Sequence, residues 1–217
     1  MTVDTGVGSR KTWLTVEFVV LFLGVAALYA VFLRGVGPLP FLLVVAGGVV
    51  VYLCRTGFDR RDFWRPGALR AALPGMLAVW AIAAVGLGIA VAVLRPASLF
   101  DLPRERPLLW VLVLVFYPLV SVYPQELLFR AFLFHRYAPV FGDGARMVAA
   151  SAAAFGIAHL MFGSWLSVLL STAAGFLFAE RYRRTRSLLT VSVEHALYGC
   201  LVFTIGLGEF FYHGAAG

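Results

Sequence analysis

Long apolar runs constrain this chain more than any other feature of its sequence. A transmembrane helix needs about 20 predominantly apolar residues, and such runs recur along the whole 217-residue chain. The chain is 61% hydrophobic and only 13% charged, with a mean hydropathy of +0.90, which is far from the composition of soluble domains. We therefore expect an all-α, polytopic integral membrane protein with about seven transmembrane helices. The predicted spans are Trp13–Leu33, Leu39–Leu53, Ala71–Leu94, Leu108–Tyr137, Ala145–Phe162, Ser164–Ala179 and Leu188–Leu207.

Turns divide the chain into three parts without a long polar linker between them. Residues 1–107 are expected to form three N-terminal transmembrane helices, the first two of which are separated by a turn around Gly35 and Pro38. Residues 108–207 are expected to form a four-helix core, and residues 208–217 a short tail. The sequence therefore predicts one membrane-embedded unit.

The basic residues fall in short clusters between the apolar runs. The net charge is +7, but basic residues spread in this way indicate membrane topology and not nucleic-acid binding. Arginine and lysine are concentrated on the side that carries the N-terminus, which predicts a cytoplasmic N-terminus, in the inner membrane if the cell is bacterial. The expected partners are the lipid bilayer and a membrane protein or peptide substrate, with no nucleic acid. The few arginines predicted on the outer side are Arg34, Arg95, Arg104 and Arg106.

The fourth run contains ionisable groups in an otherwise apolar stretch. Glu126 and Arg130 stand four residues apart, so they share one helix face and can pair. A charge at the centre of a membrane helix costs at least about 2.5–3.5 kcal/mol and is normally paired, turned inward and functional. Pro118 and Pro124 each remove a backbone hydrogen bond, and we expect a kink there that opens room for a water-filled pocket. A purely structural ion pair that joins two helices is the alternative.

Two later spans carry buried histidines, His159 and His195. Counted along the helices from their inner ends, both lie at depths that overlap with Glu126. We expect the fourth, fifth and seventh spans to pack together, with these groups facing one polar cavity open to the inner side. Glu194 and Tyr198 add polar groups beside His195 on the last helix. Each histidine alone could also be a satisfied core residue.

A carboxylate with two histidines can carry out hydrolysis. The carboxylate takes a proton from water, one histidine positions that water, and the other donates to the oxyanion. We expect Glu126 to be the base, His159 to position the water and His195 to stabilise the oxyanion, with Glu194 as the second candidate for the base. The same set, Glu126, His159 and His195, could instead bind a divalent metal such as zinc, although no HExxH motif occurs.

At these residues the sequence resembles the CPBP intramembrane proteases, the family of type II CAAX prenyl proteases and related bacteriocin-processing membrane proteins. The segments QELLFR, FGIAH and HALYG stand in the order and spacing of the family motifs EExxxR, FxxxH and HxxxN. The resemblance implies a helical bundle in the C-terminal half and a membrane peptidase. Gln125 stands at the position of the family's water-activating glutamate, and Gly199 at that of its asparagine. Arg130 is expected to be structural, and Tyr198 to offer the missing hydrogen-bond donor.

These observations favour an intramembrane endopeptidase. Its expected substrate is a membrane-associated, prenyl-like or hydrophobic peptide, cleaved near the inner leaflet. The replacements at Gln125 and Gly199 leave open a catalytically impaired relative that binds or escorts membrane proteins. A proton-coupled membrane carrier is a further alternative, because glutamate and histidine chains in membranes also relay protons.

Overall fold

The structure is a computed structural model that describes residues 5–33 and 37–212. Helices make up nearly all of these residues, and no β-strand occurs among them. Seven long helical segments, labelled α1 to α7 here, run in chain order. They are α1 (Thr5–Phe18 and Val25–Phe32, joined by the π-helical Val19–Gly24), α2 (Leu39–Arg55), α3 (Pro66–Leu94), α4 (Pro107–Arg136), α5 (Ala145–Ala158, continued by the 3₁₀ turn His159–Phe162), α6 (Trp165–Thr185) and α7 (Leu188–Thr204).

The seven helices coincide with the seven predicted spans, which confirms the all-α, polytopic architecture. Within the described ranges, four helices are long and apolar enough to cross a membrane, namely α1 from Gly8, α3, α4 and α5. The apolar helices α2 and α7 are shorter, and α6 ends in a charged turn at Arg181–Thr185. The predicted turn at Gly35 and the predicted outer Arg34 lie outside the described residues.

Helix α4 does not break at its prolines. It consists of α-helical Pro107–Tyr117, Tyr123–Glu126 and Leu133–Arg136, with π-helical Pro118–Val122 and Leu127–Phe132 between them. Pro118 has no N–H group to donate, and the helix accommodates it by a wider, π-helical turn. The predicted kink is therefore present as π-helical turns. Such turns occur frequently at functional sites, and here they flank Gln125 and Glu126.

Small residues bring α5 and α6 close together. A Cβ atom added at Gly156 would lie 1.9 Å from Thr172 Oγ1, and one added at Gly175 would lie 3.0 Å from the Cα atom of Ala152. Close approach through small residues is the usual way in which membrane helices associate. This contact fixes the end of α5 that carries His159.

The two ends of the bundle differ in character. At the end that carries the arginine-rich loops, Arg136 makes a forked contact with Glu17 at 2.9 and 2.7 Å, and the Tyr137 hydroxyl donates to the same carboxylate. These bonds tie α4 to α1. The short helix Asp101–Glu105 and the 3₁₀ turn Gly208–Phe210 lie at the opposite end.

Candidate active site

One face of α4 lines a cavity of about 1450 Å³. The residues Tyr117, Ser121, Gln125 and Phe129 recur every fourth position along this face, and all line the cavity together with His159 and His195. Helices α4, α5 and α7 therefore meet around one cavity, as the sequence predicted. The walls are mostly apolar, with a few polar groups where the three helices meet. Pockets of this kind are typical of ligand and substrate sites.

Glu126 points away from this cavity and towards the next helix. It is fully buried, and its Oε1 lies 2.8 Å from His195 Nδ1. Its Oε2 lies 3.2 Å from Arg130 Nε. Consecutive residues of a helix differ by about 100° in direction, so Gln125 faces the cavity while Glu126 faces His195 and Arg130. Oε1 of Glu126 is thus hydrogen-bonded to His195, while Oε2 lies at ion-pair distance from Arg130 without a hydrogen bond. This geometry fits a residue that positions His195 better than one that takes a proton from water.

Arg130 is fully buried, and its guanidinium contacts several neighbouring groups. Its guanidinium donates to Ser151 Oγ at 2.7 Å and to the Phe129 carbonyl at 3.2 Å. Its Cζ atom lies 5.0 Å above the Phe155 ring. A buried charge needs compensation of this kind. The structural role of Arg130 stays a prediction, and these contacts are the reason to keep it.

The two histidines are close to each other and differ in their bonds. The Phe155 ring centroid lies 4.7 Å from that of His159 and 5.3 Å from that of His195, so the two imidazoles are within about 10 Å. His159 Nδ1 lies 2.8 Å from the Phe155 carbonyl, which only accepts, so the proton is on Nδ1 and Nε2 has a free lone pair. His195 stacks on the Phe178 ring at 4.7 Å. With Nδ1 bound to Glu126, its Nε2 is left for the cavity.

Glu194 does not lie with the two histidines at the cavity. Arg181 donates a hydrogen bond to each of its carboxylate oxygens, at 2.9 and 3.0 Å, and this bidentate pair joins α6 to α7. A bidentate pair of this kind is geometrically specific and leaves the carboxylate little freedom. Although Glu194 precedes His195 in sequence, it is about 100° away around the helix, is bound to Arg181 and does not line the cavity, so the geometry gives no support to Glu194 as a base.

Tyr198 lines the cavity, and within the described part of the chain its buried hydroxyl has no hydrogen-bond partner. The residue that approaches His195 is another tyrosine, Tyr117, whose hydroxyl lies 3.4 Å from His195 Nε2. Sequence reasoning missed Tyr117 because it lies in an apolar run before Pro118. The spacing of Tyr117, Ser121 and Gln125 on one helix face was the signal that could have found it.

The cavity extends to the end of the bundle that carries Asp101, Glu105, Arg106 and Glu209, and no arginine of the arginine-rich loops lines it. The lining thus reaches the end opposite the arginine-rich loops, and the opening of the cavity to the inner side stays a prediction.

A metal site with the predicted ligands is not assembled in this arrangement. Within residues 5–33 and 37–212, no group of three His, Cys, Asp or Glu side chains could hold a metal ion. Glu126 Oε1 is bonded to His195 Nδ1, and Oε2 lies 3.2 Å from Arg130 Nε. The Tyr117 hydroxyl lies 3.4 Å from His195 Nε2. The residues present therefore do not fit zinc bound by Glu126, His159 and His195.

Residues 107–201 match the family model for Rce1-like type II CAAX prenyl endopeptidases. This stretch contains all three motifs and is somewhat less than half of the chain, so the match confirms the resemblance that the motifs predicted. It supports, at the level of the family, a CAAX-protease-type endopeptidase embedded in the membrane. No match was found among curated proteins or among solved structures.

Proposed function

We propose that this protein is an intramembrane endopeptidase that hydrolyses a lipid-modified or hydrophobic peptide. One observation carries the proposal: His159 and His195, from two different helices, flank one cavity together with Gln125 of a third. His195 is backed by a buried carboxylate, in the way that catalytic histidines commonly are. The match of residues 107–201 to CAAX prenyl endopeptidases supports the same class of reaction.

The proposed reaction assigns the base to a histidine. Gln125 donates to Ser121 Oγ at 2.8 Å, which leaves its carbonyl oxygen to accept from a water molecule. His159 Nε2 takes a proton from this water while the water oxygen attacks the carbonyl carbon of the scissile amide. The π electrons of the C=O bond move to the carbonyl oxygen. This oxyanion accepts a hydrogen bond from Nε2–H of protonated His195. The C–N bond then breaks, and the leaving nitrogen takes the proton from His159.

Glu126 acts through His195 in this scheme. Its carboxylate accepts from Nδ1–H, fixes the ring orientation and compensates the positive charge of the imidazolium. Arg130, on the other oxygen, keeps Glu126 in place. This changes the role first expected for Glu126 from base to positioning residue.

The cavity supports a substrate with a long apolar part. Its volume of about 1450 Å³ exceeds the usual range of about 300–1,000 Å³ for small-molecule pockets. Phenylalanine and leucine are the two commonest residues of its mostly apolar wall, so an acyl or prenyl chain attached to a peptide is a suitable occupant. We propose entry from the end that carries Asp101 and Glu105. The N-terminus is proposed to be cytoplasmic.

The test uses purified protein in liposomes with a fluorogenic peptide, supplied with and without a prenyl group. We expect cleavage of the prenylated peptide and a loss of at least about 100-fold in His159→Ala and His195→Ala. His135→Ala is the matched control, because His135 lies away from the cavity and contacts Thr56. Thermal unfolding of each variant separates lost chemistry from lost folding. Equal activity in all three variants would contradict the proposal.

A catalytically impaired binder is the second candidate. The observation that favours it is the pair of replacements at Gln125 and Gly199, which remove a carboxylate and an amide from the cavity wall. The same experiment separates the two functions: saturable binding of the prenylated peptide without turnover would identify a binding protein.

A further inference from the structure

We infer that the Tyr117 hydroxyl is a second hydrogen-bond donor to the oxyanion, in place of a side-chain amide at position 199. The inference rests on the proposed peptidase function and names a residue for that same site. It starts from the space around Gly199. A Cβ atom there would lie 2.4 Å from Tyr117 Cε1 and 2.5 Å from the Tyr117 hydroxyl oxygen.

The backbone does not require glycine at position 199. This residue lies inside α7, where its conformation is helical, and glycine in a helix interior is unfavourable relative to alanine. What position 199 does require is the absence of a side chain, because the Tyr117 ring already fills that space. Glycine at 199 and tyrosine at 117 are therefore one coupled feature of the structure.

Position 199 is also the position from which a side chain would reach the site. It follows His195 by four residues, so both project from the same face of α7. The Tyr117 hydroxyl enters this space from the neighbouring helix and lies 3.4 Å from His195 Nε2. The edge of the Phe203 ring, at a centroid distance of 5.3 Å, holds the Tyr117 ring in place.

The chemistry of the phenol suits this task. A phenol is protonated at neutral pH and its O–H group rotates to suit the acceptor. In the resting protein the hydroxyl faces His195, and an oxyanion held between the two groups would accept from both. The bond that forms and the bond that breaks are those of the hydrolysis above, and Tyr117 keeps its proton throughout.

The first arm of the test measures cleavage kinetics of the liposome-embedded protein. Tyr117→Phe keeps the ring and removes only the hydroxyl, so we expect kcat to fall by about 10- to 100-fold with little change in KM and in the unfolding temperature. Tyr123→Phe, on the same helix but outside the cavity, is the matched control and should keep the parent kcat. An unchanged kcat in Tyr117→Phe would overturn the inference.

The second arm of the test replaces the phenol donor of Tyr117 with an amide donor at position 199. Gly199→Asn alone should be strongly impaired, because its side chain meets the Tyr117 ring. Tyr117→Ala combined with Gly199→Asn should recover to within about 10-fold of the parent kcat, since the amide then has the space and the position of the phenol. A double variant no better than the worse single variant would contradict the replacement.

The third arm does not depend on activity. In ¹⁵N-histidine NMR of the protein in detergent micelles, Tyr117→Phe should shift the Nε2 resonance of His195 and leave that of His159 unchanged, and the double variant should restore the His195 resonance in part. If the parent protein cleaves nothing, the proposed function fails, while this measurement still decides whether the hydroxyl is the partner of His195. A His195 resonance that is indifferent to Tyr117→Phe would end the inference.

Discussion

Two buried carboxylates lie close to His195, and their surroundings differ in one respect that decides what each can do. Glu194 has both oxygens in the fork of Arg181, whose side chain reaches the surface and is 22% exposed. Glu126 shares its oxygens between Arg130 and His195, and none of these three groups lies at the surface. Arg181 binds both oxygens of Glu194, so that carboxylate has only a structural contact. Arg130 faces one oxygen of Glu126, and the other oxygen is available to orient His195.

The largest expected effect is that of Glu126→Gln. The amide cannot stabilise an imidazolium, and in a serine protease the equivalent change of the buried carboxylate lowers kcat by about 10⁴-fold. We expect a fall in kcat of about 1,000-fold or more for the folded fraction, measured in liposomes. Glu194→Gln should stay within about 3-fold of the parent. A reversed outcome, with Glu194→Gln inactive and Glu126→Gln active, would show that the two carboxylates have exchanged roles.

Arg130→Ala should cause the next largest effect, and on stability. The change leaves the Glu126 carboxylate buried without its cation, which typically costs about 3–5 kcal/mol in the free energy of unfolding. Arg181→Ala should cost less, about 1–3 kcal/mol, because water can reach the place of a partly exposed arginine. Unfolding in detergent followed by circular dichroism measures both. If Arg130→Ala folds as stably as the parent but is inactive, Arg130 acts in the chemistry and not as a structural residue.

Gln125→Glu extends the comparison of Glu126 and Glu194 to a residue that lines the cavity. It would add a third carboxylate, at a position that lines the cavity. A general base in that position contributes up to about 10²–10⁴-fold in other enzymes. Because His159 already serves as a base in the proposed reaction, we expect a more modest rise in kcat, of about 10-fold. Gln125→Ala should lower it, and a fall in both variants would show that the amide itself orients the water.

The sequence was sufficient to predict the fold and the proximity of Glu126, His159 and His195, but not Tyr117 and not the direction of each side chain. Apolar run length placed all seven helices, and the cost of burying ionisable groups brought Glu126, His159 and His195 together. The direction of each side chain depends on the π-helical turns beside Pro118 and Leu127, which change the angles between successive residues. Glu126, one residue beyond Gln125 on the helix, faces His195 and not the cavity. Tyr117 was missed because its importance depends on a contact with Gly199, 82 positions away in the sequence.

The smallest expected effect is that of a chelator. Zinc bound by Glu126, His159 and His195 would require Glu126 to leave Arg130 or His195, and a buried arginine without its carboxylate is costly. We expect cleavage by the purified protein to stay within about 2-fold after treatment with 1,10-phenanthroline, with metal content checked by elemental analysis. His135→Ala, treated in the same way, controls for weak binding of metal by surface histidines. Loss of activity on chelation and its return with added zinc would mean that Glu126 is a ligand and not the partner of His195, and the contrast between the two carboxylates would then have to be explained by the metal.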